Sequence, residues 1–180
     1  MGRAFEQLSD PITAFVEQQH VFFVATAPAG ADGHVNLSPK GHDTFRVLDP
    51  TTVAYVDLTG SGVETIAHLR ENGRITLMFC AFEGPPNIVR LYGRGEVLTA
   101  ADDGFHELLG TFGEVRGARA VVRVALDRVS TSCGFSIPFM TYESERPTLL
   151  DWAERKGADG LEAYMVEKNG ASIDGLAGLP

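Results

Sequence analysis

The segment of residues 53–79, VAYVDLTGSGVETIAHLRENGRITLMF, constrains the fold more than any other part of this chain. Its first residues, 53–56, are mostly β-branched or aromatic, and this composition predicts a buried strand. Residues 75–79 alternate between large apolar and other side chains, which predicts a second, half-buried strand. Gly73 stands where a glycine typically ends a helix. The segment therefore predicts a strand, a loop, a short helix and a second strand.

The loop in this segment is the glycine-rich stretch of residues 59–62. Its glycines permit positive φ, so we expect a tight turn. Ser61 and Glu64 have the spacing of a capping box, which predicts the start of the helix. A loop of this kind gathers backbone N–H groups at the positive end of a helix, a geometry that suits a phosphate. An ordinary turn explains the same residues, because Glu64 can satisfy the helix N-terminus itself, and both interpretations stay open.

The composition excludes several classes of function. The 180 residues carry a formal net charge of −9, so a nucleic-acid-binding surface is not expected. No apolar run approaches the ~20 residues of a membrane span, and the first residues do not have the pattern of a secretory signal. We therefore expect a cytoplasmic protein that binds neither nucleic acid nor membrane. Cys80 and Cys133 are predicted to be reduced and buried, and their spacing to the histidines predicts no metal site.

Strands outnumber helices along the rest of the chain. Strands are predicted at residues 21–26, 34–38, 88–98 and 119–129, with a short extended piece at 45–48. Helices are predicted at 10–20, 101–109, 149–155 and 161–167, and a loose tail at 169–180. Pro39 is expected to end the second strand, and Gly93 and Gly95 indicate a bulge. Because helices do not alternate with strands, the pattern favours a mainly β (α+β) fold, a closed or partly closed antiparallel barrel of six strands with peripheral helices.

Four motifs identify a family resemblance: VNLSPKG (35–41), VAYVDLTG (53–60), AHLRENGRITLMF (67–79) and IVRLYGRGEVL (88–98). In this order and spacing they resemble the pyridoxamine 5′-phosphate oxidase-like family of FMN-binding split barrels. The resemblance implies a single six-stranded Greek-key split-barrel domain over residues 1–180, with a helical extension from about residue 147. It also implies a homodimer that binds FMN at the interface and acts on a small molecule.

The resemblance further implies a set of cofactor-binding residues. Lys40 would pair with the phosphate, and Asn36 and Ser38, two apart on one strand face, would bond the ribityl chain or the ring. Tyr55 matches an aromatic position, and Arg90 could reach the cofactor or the dimer interface. The loop and the first helical turn would supply the remaining contacts, from Thr59, Ser61, Gly62, Glu64 and Thr65. From the residues alone, without the family resemblance, each has an ordinary structural interpretation. Lys40 is then a solvated loop lysine, Tyr55 a core residue and Arg90 an outward-facing strand residue.

The chain also departs from the family pattern. Many members place Ser-Arg-Lys in the first turn of the central helix, where this chain has Glu64, Thr65 and Ile66. A carboxylate repels a phosphate, so the deazaflavin F420 is an alternative cofactor, and haem is a less favoured one. No arginine follows Arg155 and no histidine follows His106, so oxidation of vitamin B6 is not expected.

Two functional hypotheses follow from these features. The first is a flavin-dependent oxidoreductase in which the cofactor supplies the chemistry, and no catalytic side chain is predicted. The alternative is a non-catalytic split-barrel module that binds flavin, F420 or haem. Among the five histidines, His68 on the central helix is the most interesting, because it is expected near the cleft, with His42 similar because it is close to Lys40.

Overall fold

The computed structural model describes residues 2–179, in which eight strands and four helices alternate irregularly along the chain. The strands are β1 (Arg3–Phe5), β2 (Phe22–Thr26), β3 (Asn36–Lys40), β4 (Phe45–Asp49), β5 (Thr52–Leu58), β6 (Arg74–Cys80), β7 (Ile88–Leu98) and β8 (Ala118–Ser132). The helices are α1 (Asp10–Glu17), α2 (Glu64–Asn72), α3 (Phe105–Gly110) and α4 (Thr148–Lys168). All strand pairs are antiparallel, in the order β3-β2-β6-β7-β8-β5-β4, with β1 added to β8. The hairpins β2-β3 and β4-β5 thus flank a central meander of β6, β7 and β8.

The sheet curls around its main apolar cluster. Phe45 on β4 lies 5.5 Å from Phe22 on β2 and 4.9 Å from Phe79 on β6, measured between ring centroids. These strands stand near opposite ends of the strand order, so the contacts require a strongly curved sheet. Tyr55 and Leu91 complete this core as fully buried side chains. Each large apolar side chain buried in this way stabilises the fold by about 1.5–3 kcal/mol.

The predicted antiparallel barrel with peripheral helices is confirmed, but it has eight strands rather than six. The two additional strands are β1 and β4. The three residues of β1 are all exposed, so no apolar alternation marks them in the sequence. The β4 residues are only half-buried or exposed, which explains why residues 45–48 predicted no more than a short extended piece.

The predicted bulge occurs at Gly93. The pairing of β7 with β8 shifts register between Tyr92 and Gly93. A Cβ atom at Gly93 would lie 2.1 Å from the backbone oxygen of Ala125, so the close approach of these strands requires glycine. Gly73 ends α2 in the left-handed conformation, with φ of 69°, as the sequence predicts.

Three local predictions around β3 and α2 are wrong. β3 continues through Pro39 to Lys40, because it is an edge strand on which a missing N–H group is tolerated. The N-cap of α2 is Val63 without a side-chain cap, so Ser61 and Glu64 form no capping box. The glycine-rich loop was predicted to turn through positive φ, but neither Gly60 nor Gly62 adopts a positive φ. The reason is tertiary, since partners from distant residues hold the carbonyl groups of this loop.

The chain after β8 differs partly from expectation. Gly157 interrupts α4 with φ of 66° and ψ of 175°, which agrees with two predicted helical pieces. The segment after α4 was expected to be loose, but Asn169 and Leu179 are buried and Ala171 bridges Ala177. Cys133 is exposed rather than buried, because it follows the last residue of β8.

Cys80 is buried as predicted. Within residues 2–179, no helix combines the length and apolar character needed to cross a membrane.

Candidate functional site

A cleft of about 1250 Å³ opens between the edge strand β3, the loop after β5 and the segment that follows β8. A smaller cavity of about 470 Å³ adjoins it and shares Asn36, Gly62 and Glu64 with it. Seven of the ten predicted cofactor-binding residues line the cleft: Asn36, Ser38, Lys40, Thr59, Gly62, Glu64 and Thr65. Ser61 lines the smaller cavity only. The structure therefore brings eight of the ten to these two adjoining cavities.

A buried ion triad forms the inner end of the cleft. Asp57 is fully buried and accepts hydrogen bonds from Lys40 Nζ at 2.6 Å and from Arg119 Nε at 2.8 Å. Burial raises the pKa of Asp57, but Lys40 and Arg119 together lower it more. The pKa of this carboxyl group is therefore below its ordinary value, and the group is ionised at neutral pH. Two cations share one carboxylate, and the triad therefore carries a net charge of about +1 toward the cleft.

Arg119 also holds the loop of residues 59–63. Its guanidinium donates to the carbonyl oxygens of Gly60 at 3.1 Å and Gly62 at 2.7 Å, and to Oδ1 of Asn169 at 2.8 Å. The side chain of Thr59 donates to the Gly117 carbonyl at 2.9 Å. Arg119 and Asn169 were not predicted as site residues. The available signal was an arginine in the apolar run at the start of β8, where a charge needs a buried partner.

A chain of polar contacts links the cleft wall to the interior. Asn36 Nδ2 donates to Thr65 Oγ1 at 2.9 Å and to Thr26 Oγ1 at 3.2 Å. Thr26 Oγ1 lies 3.0 Å from Nδ1 of His68. His68 is fully buried and is absent from the cleft lining, so it reaches the cleft only through Thr26 and Asn36.

Ser38 presents an unsatisfied polar atom to the cleft. Its Oγ is buried and has no hydrogen-bond partner among the described residues, and Ser38 lines the cleft. A buried hydroxyl without a partner costs about 1–3 kcal/mol. A ligand with a donor or acceptor at this position would recover that energy.

The carboxylate of Glu64 is hydrogen-bonded to the segment after α4. Its Oε1 accepts a hydrogen bond from the backbone N–H of Ile173 at 3.3 Å. The carboxylate nevertheless lines both cavities, so any anion bound there meets its repulsion.

Tyr55 and Arg90 lie outside both cavity linings. Tyr55 is fully buried, with its ring 5.6 Å from that of Phe22. Burial raises the pKa of its phenol, and the nearby Asp57 raises it further. Arg90 donates to Ser132 Oγ at 3.1 Å. The structure therefore brings neither side chain to the lining of either cavity.

Residues 140–146, which we term the strap, line the exposed outer end of the cleft. The Tyr142 ring stacks on that of His20, with centroids 3.6 Å apart and planes at 8°. Its hydroxyl donates to Glu145 Oε1 at 3.1 Å, and Glu145 Oε2 lies 3.4 Å from Nδ1 of His42. Burial raises the pKa of Tyr142, as does the bond to Glu145.

His42 adopts a φ of 58°, which is unusual for a residue other than glycine. Its backbone N–H donates to Glu145 Oε2 at 3.3 Å. The strap thus lines the cleft and is held by contacts to residues about 100 positions away in the chain, a separation that no local sequence pattern reveals.

This chain is similar to known proteins in sequence and in fold. A family model described as pyridoxamine 5′-phosphate oxidase matches residues 8–133. The pyridoxamine 5′-phosphate oxidase family protein UstO of Aspergillus flavus is 42% identical over 193 aligned residues, which cover 97% of this chain and 77% of UstO. Two solved structures agree in fold. HupZ of Group A Streptococcus has a TM-score of 0.55 and 23% identity, covering 68% of this chain and 91% of HupZ. A protein of Lactobacillus delbrueckii, named as a candidate pyridoxamine 5′-phosphate oxidase, has a TM-score of 0.53 and 21% identity. The alignment covers 69% of this chain and 94% of the Lactobacillus protein.

Proposed function

The chain belongs to the pyridoxamine 5′-phosphate oxidase family, and we propose that it is a flavin-dependent oxidoreductase that holds FMN in the large cleft. One observation carries the proposal: the cleft ends in a triad in which Lys40 and Arg119 share the single carboxylate of Asp57. The excess positive charge suits a phosphate, although the chain as a whole has a net charge of −9. We expect the phosphate at this inner end.

The polar groups of the cleft fit a flavin. Lys40 would hold the phosphate together with the hydroxyl group of Thr65. The unsatisfied Oγ of Ser38 and the amide of Asn36 would meet the hydroxyl groups of the ribityl chain. Lysine suits the phosphate because its ammonium is a compact charge with three mobile donors.

The cleft is large enough for a second molecule beside the cofactor. Its volume of about 1250 Å³ exceeds the roughly 300–1000 Å³ typical of a site for one small ligand. A bound flavin would supply hydride or single-electron chemistry. The strap would exclude water from the outer end and place a small substrate against the cofactor.

A homodimer forms part of this proposal. Val35, Leu37 and Ile173 are 74%, 63% and 71% exposed, respectively, and all three line the smaller cavity. Contiguous exposed apolar side chains are typical of a protein interface. A second copy of the chain would bury them beside the flavin, and sedimentation analysis would test this directly.

A non-catalytic binding module is the second candidate function, and Glu64 is the observation that favours it. Its carboxylate lines both cavities and opposes a phosphate dianion. A module of this kind would bind FMN, the deazaflavin F420 or haem without catalysing a reaction.

Spectroscopic titration tests the proposal. Purified protein is mixed with FMN, riboflavin, F420 and haemin in turn, and binding is followed by absorbance and by quenching of flavin fluorescence. FMN should bind more tightly than riboflavin. A protein that takes up no flavin would refute both the cofactor and the oxidoreductase. FMN that binds but is not reduced by NADH, NADPH or any other donor would favour the module.

A further inference from the structure

The segment that follows α4, residues 169–179, packs against the glycine-rich loop of residues 59–63. Leu179 is buried beside Val63 and Ile66. The Leu179 N–H donates to the Asn169 carbonyl at 2.8 Å, and the Gly178 N–H donates to Gly170 at 2.9 Å. These bonds close the segment into a compact unit.

Asn169 connects this segment to the loop. It is fully buried, and its Nδ2 donates to the carbonyl of Gly60 at 2.9 Å and, more weakly, to that of Ser61 at 3.4 Å. Its Oδ1 accepts from Arg119 at 2.8 Å. The amide orientation follows from the partners, because a guanidinium only donates and a carbonyl only accepts.

These contacts fix the direction of three peptide groups. Arg119 and Asn169 engage the carbonyl oxygens of Gly60, Ser61 and Gly62. All peptide bonds in residues 2–179 are trans, and in a trans peptide the C=O group and the next N–H group point in opposite directions. The N–H groups that follow these three carbonyls therefore point away from Arg119 and Asn169.

Those three N–H groups, of Ser61, Gly62 and Val63, form no hydrogen bond to any described residue. Gly62 lines both cavities, and Ser61 lines the smaller one. Val63 is buried in an apolar cluster and lines neither cavity, so the N–H groups of Ser61 and Gly62 are the ones that can meet an anion near the positively charged triad. Asn169 thus acts on the same part of the cleft as Lys40, without itself lining either cavity.

The segment also restrains the opposing charge. Glu64 Oε1 accepts from the Ile173 N–H at 3.3 Å, so one carboxylate oxygen is directed to the segment, whereas Oε2 lies 2.6 Å from the position of a Cβ atom at Gly62 and opposes an anion there. A Cβ atom at Gly178 would lie 2.1 Å from the Asn169 carbonyl oxygen and 2.9 Å from Val63. The segment therefore fits the loop closely, and this contact requires glycine.

We propose that Asn169 and Arg119 are positioning residues for phosphate recognition. They orient the peptide groups of residues 60–62 so that the N–H groups of Ser61 and Gly62 face the phosphate of the flavin. This inference rests on the proposed function.

The test compares FMN with riboflavin, which lacks only the phosphate. Asn169→Asp keeps the size of the side chain and the acceptor for Arg119, but it removes both Nδ2 donors and adds a negative charge. We expect FMN to bind about tenfold more weakly, and riboflavin affinity to change less than about threefold. Asp174→Ala is the control, because it removes the contacts of this segment with the backbone N–H group and the Nδ1 atom of His34 and leaves Asn169 intact. It should change neither affinity.

The outcomes separate this inference from the proposed function. If the unaltered protein binds neither flavin, the proposed function fails and this inference with it. If Asn169→Asp weakens FMN and riboflavin equally, Asn169 is only structural and the inference is overturned. Riboflavin binding also reports folding. Should Asn169→Asp not fold, Asn169→Ala removes both Nδ2 donors without adding a charge, and the same selective loss is expected.

Discussion

Replacing Asp57 by asparagine should destabilise the protein by about 3 kcal/mol. Asparagine has the same size, so no cavity forms, and the loss is electrostatic. Removing one partner of a buried ion pair costs about 3–5 kcal/mol. The side chain of Arg119 is 5% exposed and becomes a buried charge without its carboxylate, whereas that of Lys40 is 20% exposed and reaches water. Arg119 keeps bonds to Gly60, Gly62 and Asn169, which places the cost at the lower end of the range.

The same variant should alter the pH dependence of stability. Because the pKa of Asp57 is lower in the folded protein than its ordinary value, its contribution is present above about pH 4 and is lost as pH falls through the folded pKa. The difference in free energy of unfolding between the two proteins should be full at neutral pH and shrink below about pH 4.

Urea denaturation at several pH values measures both effects. Asp43→Asn is the control, since Asp43 is 84% exposed in its pair with Arg46 and should contribute less than about 1 kcal/mol. An Asp57→Asn protein as stable as the wild type at neutral pH, or a difference that persists unchanged at pH 3, would refute the assignment of this triad. FMN affinity should rise in the same variant, because Lys40 and Arg119 are then two cations without a carboxylate between them.

Three further perturbations address other parts of the molecule. Lys40→Ala should weaken FMN binding by about 10- to 150-fold, as expected for a charge-assisted hydrogen bond, with riboflavin unchanged in the same fluorescence titration. Gly93→Ala should lower the free energy of unfolding by about 3 kcal/mol, because the new Cβ meets a backbone oxygen. Gly110→Ala, where no atom lies within 4 Å, is its control and should be neutral. Tyr142→Ala should release the strap and raise both the association and dissociation rates of FMN in stopped flow by about two- to tenfold, the value of one aromatic stack. Unchanged rates would show that the strap does not limit access.

Local sequence signals predicted the centre of the fold well. The strand, helix and strand between residues 52 and 80 follow from short-range composition and from Gly73, whose left-handed φ no other residue adopts as readily. The bulge at Gly93 was also predictable, because a glycine inside a long strand indicates close backbone approach. The edge strand β4 and the short β1 were not, because neither carries a clear apolar alternation.

The sequence indicated residues that line the cleft only where they lie within the family motifs. Asn36, Ser38 and Lys40 line the cleft as expected. Arg119 and Asn169 were missed, because they bond the loop from 57 to 109 positions away. Those bonds also explain the failed capping box. They hold the loop carbonyls in place, which overrides the local preference of the residues near Ser61.

The most direct test of the central claim is a crystal structure of the protein with FMN. The account predicts that the phosphate lies at the inner end of the cleft, within hydrogen-bond distance of Lys40 Nζ and of the Gly62 N–H group. A phosphate found instead at the outer end, beneath the strap, or flavin bound elsewhere on the molecule, would contradict it.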